Sequence, residues 1–557
     1  MRRLRFFTAA LLALMTAVPV GAVEYAALRG GEARYWITHG QTRDDAIARE
    51  SRLDPHLQTP LGSVWKLFVH VWLIDRQIET EDYVCGGRDR EEVYCCQPGG
   101  SIGRDAALAR SCGLYFEPRR LGIAAADWRQ YWQARGAPAW LHDLRAMQPD
   151  TQVEVEQLLR ALAVVPAPAR RAAGGALLSS VLGAADAEGL RAFGARLRAK
   201  TWSWHQPGQP EARIGGAAGW LADGTPIWLR APGTSRVVLP LAARQLPAAL
   251  RVDASSSVAT GDACVRVDLF ARYPLRGVED AAGRPAQAGV LRGRHLARFT
   301  NGNTLKFTST GEIELGVDGR LRATLAVNDY VARVIEREAA PEPVEAARAL
   351  AIVARSYLYQ NARREQGCLR IDDSSASQRV GPSPPGRAAR EIAAWSDSLV
   401  LDATPVNYHL DQPGRNRLAW RQAEAQARRG EPFDRILAQA FPRASLVSTD
   451  SPLATDCARL DAAERWLKNR LPAWERALAD LDGFEPVPAP AVCRLRQGNP
   501  HADPERGRIH VHGLDGREAR LTLAHEYLHL AFAHHPRGLD ETFIEATARR
   551  LQVEGQP

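Results

Sequence analysis

The sequence predicts an α+β protein built from several domains, and three observations carry that expectation. The chain has 557 residues, and at roughly 100–200 residues per domain one core cannot serve it. Its hydrophobic pattern changes period along the way. Helical spacing with short strands runs from residue 23 to about 240, alternating strand-like text begins at Cys264, and a final helical pair closes the chain. No internal repeat is visible, so a solenoid or propeller is excluded.

The first element is a leader. Arg2, Arg3 and Arg5 precede an apolar run from Phe6 to about Val20 and small residues at Gly21 and Ala22, the pattern of a secretory signal peptide over residues 1–22. The run is shorter than the roughly 20 residues a membrane span needs. No later stretch is long and apolar enough to span, so no stable membrane span is expected after signal removal, and the protein is expected to be periplasmic or secreted. Export makes disulfides plausible among the eight cysteines, four of which crowd together at Cys85, Cys95, Cys96 and Cys112. Cys264, Cys368, Cys457 and Cys493 are scattered, and buried thiols are as good a reading of them as bridges. The formal charge of +8 suits a polyanionic partner such as a cell-wall polymer. Arg is spread over the whole length rather than clustered, which gives nucleic-acid binding no support.

Residues 23–245 form the first expected domain. Leu61-Gly62-Ser63-Val64-Trp65-Lys66 sets a serine and a lysine three apart at the start of an apolar helix from Val64 to Ile74. One helical turn brings the two side chains onto one face, where a desolvated amine can take the hydroxyl proton. Lysine is scarce, with only Lys66, Lys200, Lys306 and Lys468 among 72 basic residues. Arg cannot lose its proton near neutral pH, whereas a desolvated Lys can. With Ser111-Cys112-Gly113 and the strand-like Lys200-Thr201-Trp202 following in order, this part resembles the penicillin-binding protein and β-lactamase superfamily. That resemblance implies a serine transpeptidase-like fold with Ser63, Lys66 and Lys200 as catalytic residues. Gly113 stands where the family's loop has Asn, and Trp202 where its strand has Gly, a bulk expected to crowd the peptide groove.

Residues 246–446 form the second. Cys264 to Phe270, Asn303 to Phe307 and Leu321 to Leu325 alternate as strands, and Val327 to Glu338 leads through Pro341 and Pro343 into an alanine-rich helix from Glu345 to Tyr357. From the Tyr330-Val331 entry to Ala354-Arg355-Ser356-Tyr357 this resembles the stage II sporulation protein D family of amidase enhancers and lytic transglycosylases. The resemblance implies Glu338 as a catalytic acid toward a glycosidic oxygen, and Tyr408-His409 as a groove strand. Ala376 and Ser377 stand where a metal-binding His and Cys can occur, so a metal site in that loop is not expected.

Residues 447–557 form the third, with a helical stretch from Asp461 to Leu478, a break or kink expected at Pro472, and a strand from Arg508 to His512. His525-Glu526-Tyr527-Leu528-His529 is an H-E-x-x-H motif in an apolar helix. Two histidines at i and i+4 project to one side and can share a zinc ion, while the Glu between them can deprotonate water. Composition alone yields on the order of a few hundredths of such a motif in a chain of this length. Downstream, Glu541 takes the place of a third ligand, with Glu545 one turn later as the alternate, and the arrangement resembles the gluzincin metallopeptidases. That likeness implies a zincin-like α+β domain whose Arg508–His512 strand forms a substrate-binding edge. His510, His512, His534 and His535 are expected at the surface rather than as ligands.

The chain as a whole resembles a family of predicted secreted bacterial proteins with a C-terminal H-E-x-x-H domain of unknown function. The function expected first is zinc-dependent peptide or amide hydrolysis by His525, His529, Glu541 and Glu526, acting on peptidoglycan or a peptide or protein substrate. The alternatives are a cell-wall-binding scaffold with degenerate enzyme domains, and metal-independent glycan cleavage through Glu338. Nothing in the sequence fixes the oligomeric state.

Overall fold

The computed structural model describes residues 21–40, 46–78, 80–183, 187–206, 209–251, 264–365, 368–375, 377–402, 406–414, 416–442, 444–450, 460–487, 490–494, 500–504 and 507–554. The leader from residue 1 to 20, Ala376 and Cys457 lie outside these.

The first sheet has six strands in the order Ile47–Arg52, Glu32–His39, Val23–Arg29, Pro226–Pro232, Gln209–Leu221 and Leu197–Gln206. All neighbours are antiparallel, so the strands after the leader pair with strands 200 residues later. The last two strands form a long hairpin that extends well beyond the strand-like Lys200-Thr201-Trp202. Beside the sheet stands the helix Trp65–Asp75, buried from Trp65 through Leu73. A helix apolar on every side belongs at a domain centre, and Phe68, fully buried, contributes about 1.5–3 kcal/mol by its transfer from water. Two disulfides, Cys85–Cys96 and Cys95–Cys112, staple the loops over this core.

The second domain centres on a six-stranded sheet in the order Gly289–Val290, Ile313–Leu315, Leu321–Leu325, Val265–Asp268, Cys368–Asp372 and Arg363–Glu365. The helices Val327–Glu338 and Val344–Asn361 bury Tyr330, Val334, Leu350 and Ile352 in its core. Cys264 and Cys368 are bridged and Cys493 is disulfide-bonded, so the bridge reading holds for these three. The first and second domains are joined by more than chain. The short strand Ser180–Val181 pairs antiparallel with Ser445–Ser448, Arg191 bonds Asp434 at 2.7 Å, and Arg198 bonds Asp450 at 2.6 Å.

The third domain packs the helices Asp461–Leu478, Gly516–Ala531 and Glu541–Glu554 against a three-stranded sheet. The expected break at Pro472 is absent: the helix runs through it. Leu467, Leu471, Trp474 and Leu478 line one buried stripe across the proline, and that burial outweighs the single backbone bond it forfeits. The strand expected at an edge is central, since Arg508–Val511 pairs on one side with Ala491–Arg494 and on the other with His501–Asp503. Its alternating Ile509 and Val511 are fully buried, as a strand covered by helices requires.

Candidate functional site

In the first domain the structure draws Ser63, Lys66 and Ser111 together. Ser63 sits in the single turn Gly62–Val64 that feeds the buried helix, so Lys66 comes up on the same side. The Lys66 ammonium lies 3.4 Å from Ser63 Oγ, donates to the Ser111 carbonyl at 2.6 Å and lies 3.2 Å from Ser111 Oγ. Ser111 Oγ in turn donates to Ser63 Oγ at 3.0 Å. Ser111 offers both oxygens to one amine because it closes the helix Arg104–Arg110 with a left-handed backbone, φ 69°. That conformation costs a non-glycine residue about 1 kcal/mol or more and is held here by its surroundings. The neighbouring Cys112 is bridged to Cys95. Burial lowers the Lys66 pKa to about 8, opposed by the nearby Glu91 carboxylate.

The two departures from the expected pattern now have places. Trp202 does not crowd an open groove: it is buried, and its indole occupies space that Gly62 and Gly216 leave by having no Cβ. A Cβ on either glycine would lie 2.6 Å from a Trp202 carbon. Gly113 abuts the amine, since a Cβ there would meet Lys66 Cε at 3.5 Å. Lys200 is buried on the strand Leu197–Gln206, two residues from Trp202 and hence on the same face.

In the second domain Glu338 ends its helix and is held in place. One carboxylate oxygen accepts the Arg379 amide at 2.7 Å, the other lies 3.5 Å from the Arg379 guanidinium, and its carbonyl accepts the Tyr408 hydroxyl at 2.8 Å. The Tyr408 hydroxyl thus reaches the backbone of Glu338 from the strand Asn407–His409. Tyr330 donates to Gln378 at 2.6 Å, and Ser377 donates to the Asp372 carbonyl at 2.6 Å.

In the third domain His525, His529 and Glu541 converge, one ligand atom of each lying within 4.8 Å of the others. His525 Nε2 is 3.1 Å from His529 Nε2 and 3.3 Å from Glu541, and His529 Nε2 is 3.6 Å from Glu541. A tetrahedral centre with bonds of ~2.0–2.1 Å separates its ligands by about 3.3–3.4 Å, so two imidazoles and one carboxylate at these spacings are a donor set that zinc fits. Glu545, the alternate third ligand, lies behind His525, 3.2 Å from Nδ1, and the Gly538 carbonyl lies 2.8 Å from His529 Nδ1. Such outer contacts fix imidazole tautomer and orientation. Glu526 is buried beside the pair, with burial raising its pKa and the Ala502 amide bonding its carboxylate. Sequence reasoning missed the strand His501–Asp503, which is the true sheet edge beside Glu526. His510, expected at the surface rather than as a ligand, is half-buried and its ring stacks on His501 with centroids 4.5 Å apart. The pairing His501↔His510 is a cross-strand register that only the folded sheet reveals.

The Uncharacterized protein YfaQ of Escherichia coli (strain K12) is 45% identical to the chain over 518 residues, 92% of this chain and 93% of that protein. A family model described as predicted secreted protein (DUF2300) matches residues 87–211 and 416–537. The chain belongs to the DUF2300 family. The chain is accordingly a secreted protein, and no helix among its described residues is long and apolar enough to cross a membrane. The matched spans contain Ser111 and Lys200, and His525, Glu526 and His529. A second family model, Stage II sporulation protein, matches residues 319–387, which contain Glu338. Among solved structures, a class D beta-lactamase from Sebaldella termitidis aligns with 41% of this chain and 88% of its own, at 13% identity and a TM-score of 0.26. The transpeptidase domain of the FtsI4 D,D-transpeptidase from Legionella pneumophila aligns with 42% and 90%, again at 13% identity and 0.26.

Proposed function

We propose that the protein is an envelope hydrolase of peptide or amide bonds, acting on peptidoglycan stem peptides or on other peptides, with a zinc-dependent site in its third domain. The observation that carries this is the convergence of His525, His529 and Glu541 at separations of 3.1–3.6 Å, with the buried carboxylate of Glu526 alongside. His525, His529 and Glu541 would hold the zinc, which when bound would supply Lewis acidity toward a carbonyl oxygen. Glu526 takes the proton of the attacking water and returns it to the departing amine. The Ala502 amide keeps that carboxylate in register, and the edge strand His501–Asp503 offers an extended peptide a partner for main-chain pairing. Elemental mass spectrometry of the purified mature protein, beside the His525→Ala/His529→Ala variant, tests the proposal. One zinc per chain, lost in the variant, is expected; a chain that binds none even after reconstitution overturns it.

A second reading is favoured by one specific observation, the Ser63–Lys66–Ser111 cluster with an amine at about pKa 8. Ser63 is placed to attack a carbonyl with Lys66 as its base. Fluorescent penicillin that labels the protein and fails to label Ser63→Ala would support it; no labelling of either would leave the first domain as a binding surface. Metal-independent glycan cleavage through Glu338 is a third reading, with the Arg379 amide and guanidinium holding its carboxylate in place.

A further inference from the structure

Glu91 faces the reactive amine of the first domain without belonging to its hydrogen-bonded cluster. A Cβ added to Gly113 would lie 3.6 Å from Lys66 Nζ and 3.7 Å from Glu91 Oε2, so ammonium and carboxylate border one space above a backbone that has no side chain there. The bare glycine keeps that space open. Glu91 is exposed, whereas Lys66 is buried and reaches Ser63 Oγ at 3.4 Å, so the carboxylate stands on the solvent side of the site and the serine on its inner side. Among the described residues no side chain bonds this carboxylate, and Arg110 of the neighbouring helix donates to the Cys95 carbonyl instead.

The turn Arg90–Tyr94 that carries Glu91 is fixed at several points. Asp89 caps it, accepting the Glu91 amide at 2.8 Å. Glu92, the next residue, is buried and accepts the Tyr83 hydroxyl and the Gly86 amide, each at 2.9 Å. The bridges Cys85–Cys96 and Cys95–Cys112 close the surrounding loop, and the second leads directly to Ser111. A glutamate on a free loop is a solvated charge. One mounted on a stapled turn already stands in place when a ligand arrives, and ordering it costs little.

Its charge runs against the chemistry of the free site. Glu91 favours the ammonium form of Lys66, whereas a base must be the neutral amine. A substrate cation that paired with Glu91 would offset this field and help Lys66 release its proton, so recognition and activation would be coupled. A neutral or anionic substrate would leave the field in place. We propose that Glu91 is a specificity-determining residue, which selects for the Ser63 site acyl donors, such as peptides, that carry a free ammonium group close to the reacting carbonyl. The proposal rests on the reading of Ser63 as a nucleophile.

Rates of Ser63 acylation by benzylpenicillin and by ampicillin, which adds one amine to the same side chain, test this at about pH 6, where an α-amine is charged. The wild type should react about two- to fivefold faster with ampicillin, the effect of one exposed ion pair. Glu91→Gln should remove that preference and Glu91→Lys should reverse it. A ratio of two rates within one variant cancels any change in the intrinsic reactivity of Lys66. Glu32→Gln, in the hairpin of the first two strands, should keep the wild-type ratio. Equal rates in the wild type, or a preference that survives in Glu91→Gln, overturn the proposal while leaving Ser63 a nucleophile. Failure of both penicillins to acylate the protein overturns the reading beneath it, and the proposal with it.

Discussion

Changing only the pH should set Lys66 apart from the exposed lysines of the chain. Its pKa is lowered from 10.5 to about 8 by burial, with Glu91 opposing. A displacement of about 2.5 units corresponds to about 3 kcal/mol. At pH 7 it raises the free-amine share about 300-fold, from about 0.03% to about 9%. The folded value lies below the unfolded one, so between about pH 8 and 10.5 the unfolded chain binds the extra proton. The contribution of Lys66 to stability is therefore at its lowest below pH 8 and rises by about 3 kcal/mol across that window. The assay is made simple by composition: only four lysines exist, and Lys306 and Lys468 are exposed. Carbon-13 NMR of ε-labelled lysine should show one resonance titrating near 8, absent in Lys66→Met. Acylation of Ser63 by penicillin should rise about tenfold per pH unit below 8 and level above it. A Lys66 resonance that titrates above 10 would refute the argument, because the buried amine would then have kept its proton at every pH where Ser63 could react.

Further outcomes follow from the same geometry. Glu91→Gln should move the Lys66 midpoint lower still, since it removes the carboxylate that favours the ammonium. Gly62→Ala should cost about 1–3 kcal/mol of first-domain stability by calorimetry, because Gly62 has φ +49° and its added carbon would overlap Trp202. Cys112→Ser should lower the first domain's stability by about 3 kcal/mol in denaturant titrations, the loop entropy released by a bridge spanning 17 residues, and slow any Ser63 labelling as Ser111 loses its tether. Glu545→Ala should weaken zinc affinity about 10–100-fold in competition with a chelating dye while leaving one site per chain. Glu526→Gln should keep the metal and lower peptide hydrolysis at least about 100-fold.

How much of this was legible in the sequence differs from site to site, and the reason is sequence distance. Ser63 with Lys66, and His525 with His529, are readable because helical period alone puts residues three or four apart on one face. Ser111 could be aligned by order, but not its left-handed backbone, which depends on where the helix Arg104–Arg110 ends and on the bridge at Cys112. Glu541 and Glu545 also lie one turn apart, so period cannot choose between them. Packing can: it points Glu541 at both Nε2 atoms and Glu545 at His525 Nδ1. The edge strand His501–Asp503 went unseen because three residues are too few to show a period, and the central strand was mistaken for the edge because alternation reports burial of one face and says nothing about neighbours.

Lysine usage ties composition to chemistry. Lys66 and Lys200 are buried, whereas Lys306 and Lys468 are exposed, so the two lysines of the first domain occupy positions where an ionised side chain is expensive. An arginine at either place would carry its charge permanently and bury it at the same cost. A lysine relieves that cost by giving up its proton, and the proton it gives up leaves behind an unprotonated amine 3.4 Å from a serine hydroxyl. The penalty of burial and the capacity to act as a base are thus one physical fact at Lys66. For that reason Lys66→Arg is the sharper test than Lys66→Met. It keeps charge and length, so it should fold less stably than the wild type at pH 9, where the native amine is neutral, and it should abolish Ser63 acylation at every pH. Acylation that survives in Lys66→Arg would mean that another group takes the serine proton, and that the lowered pKa of Lys66 is a cost of its burial with no part in catalysis.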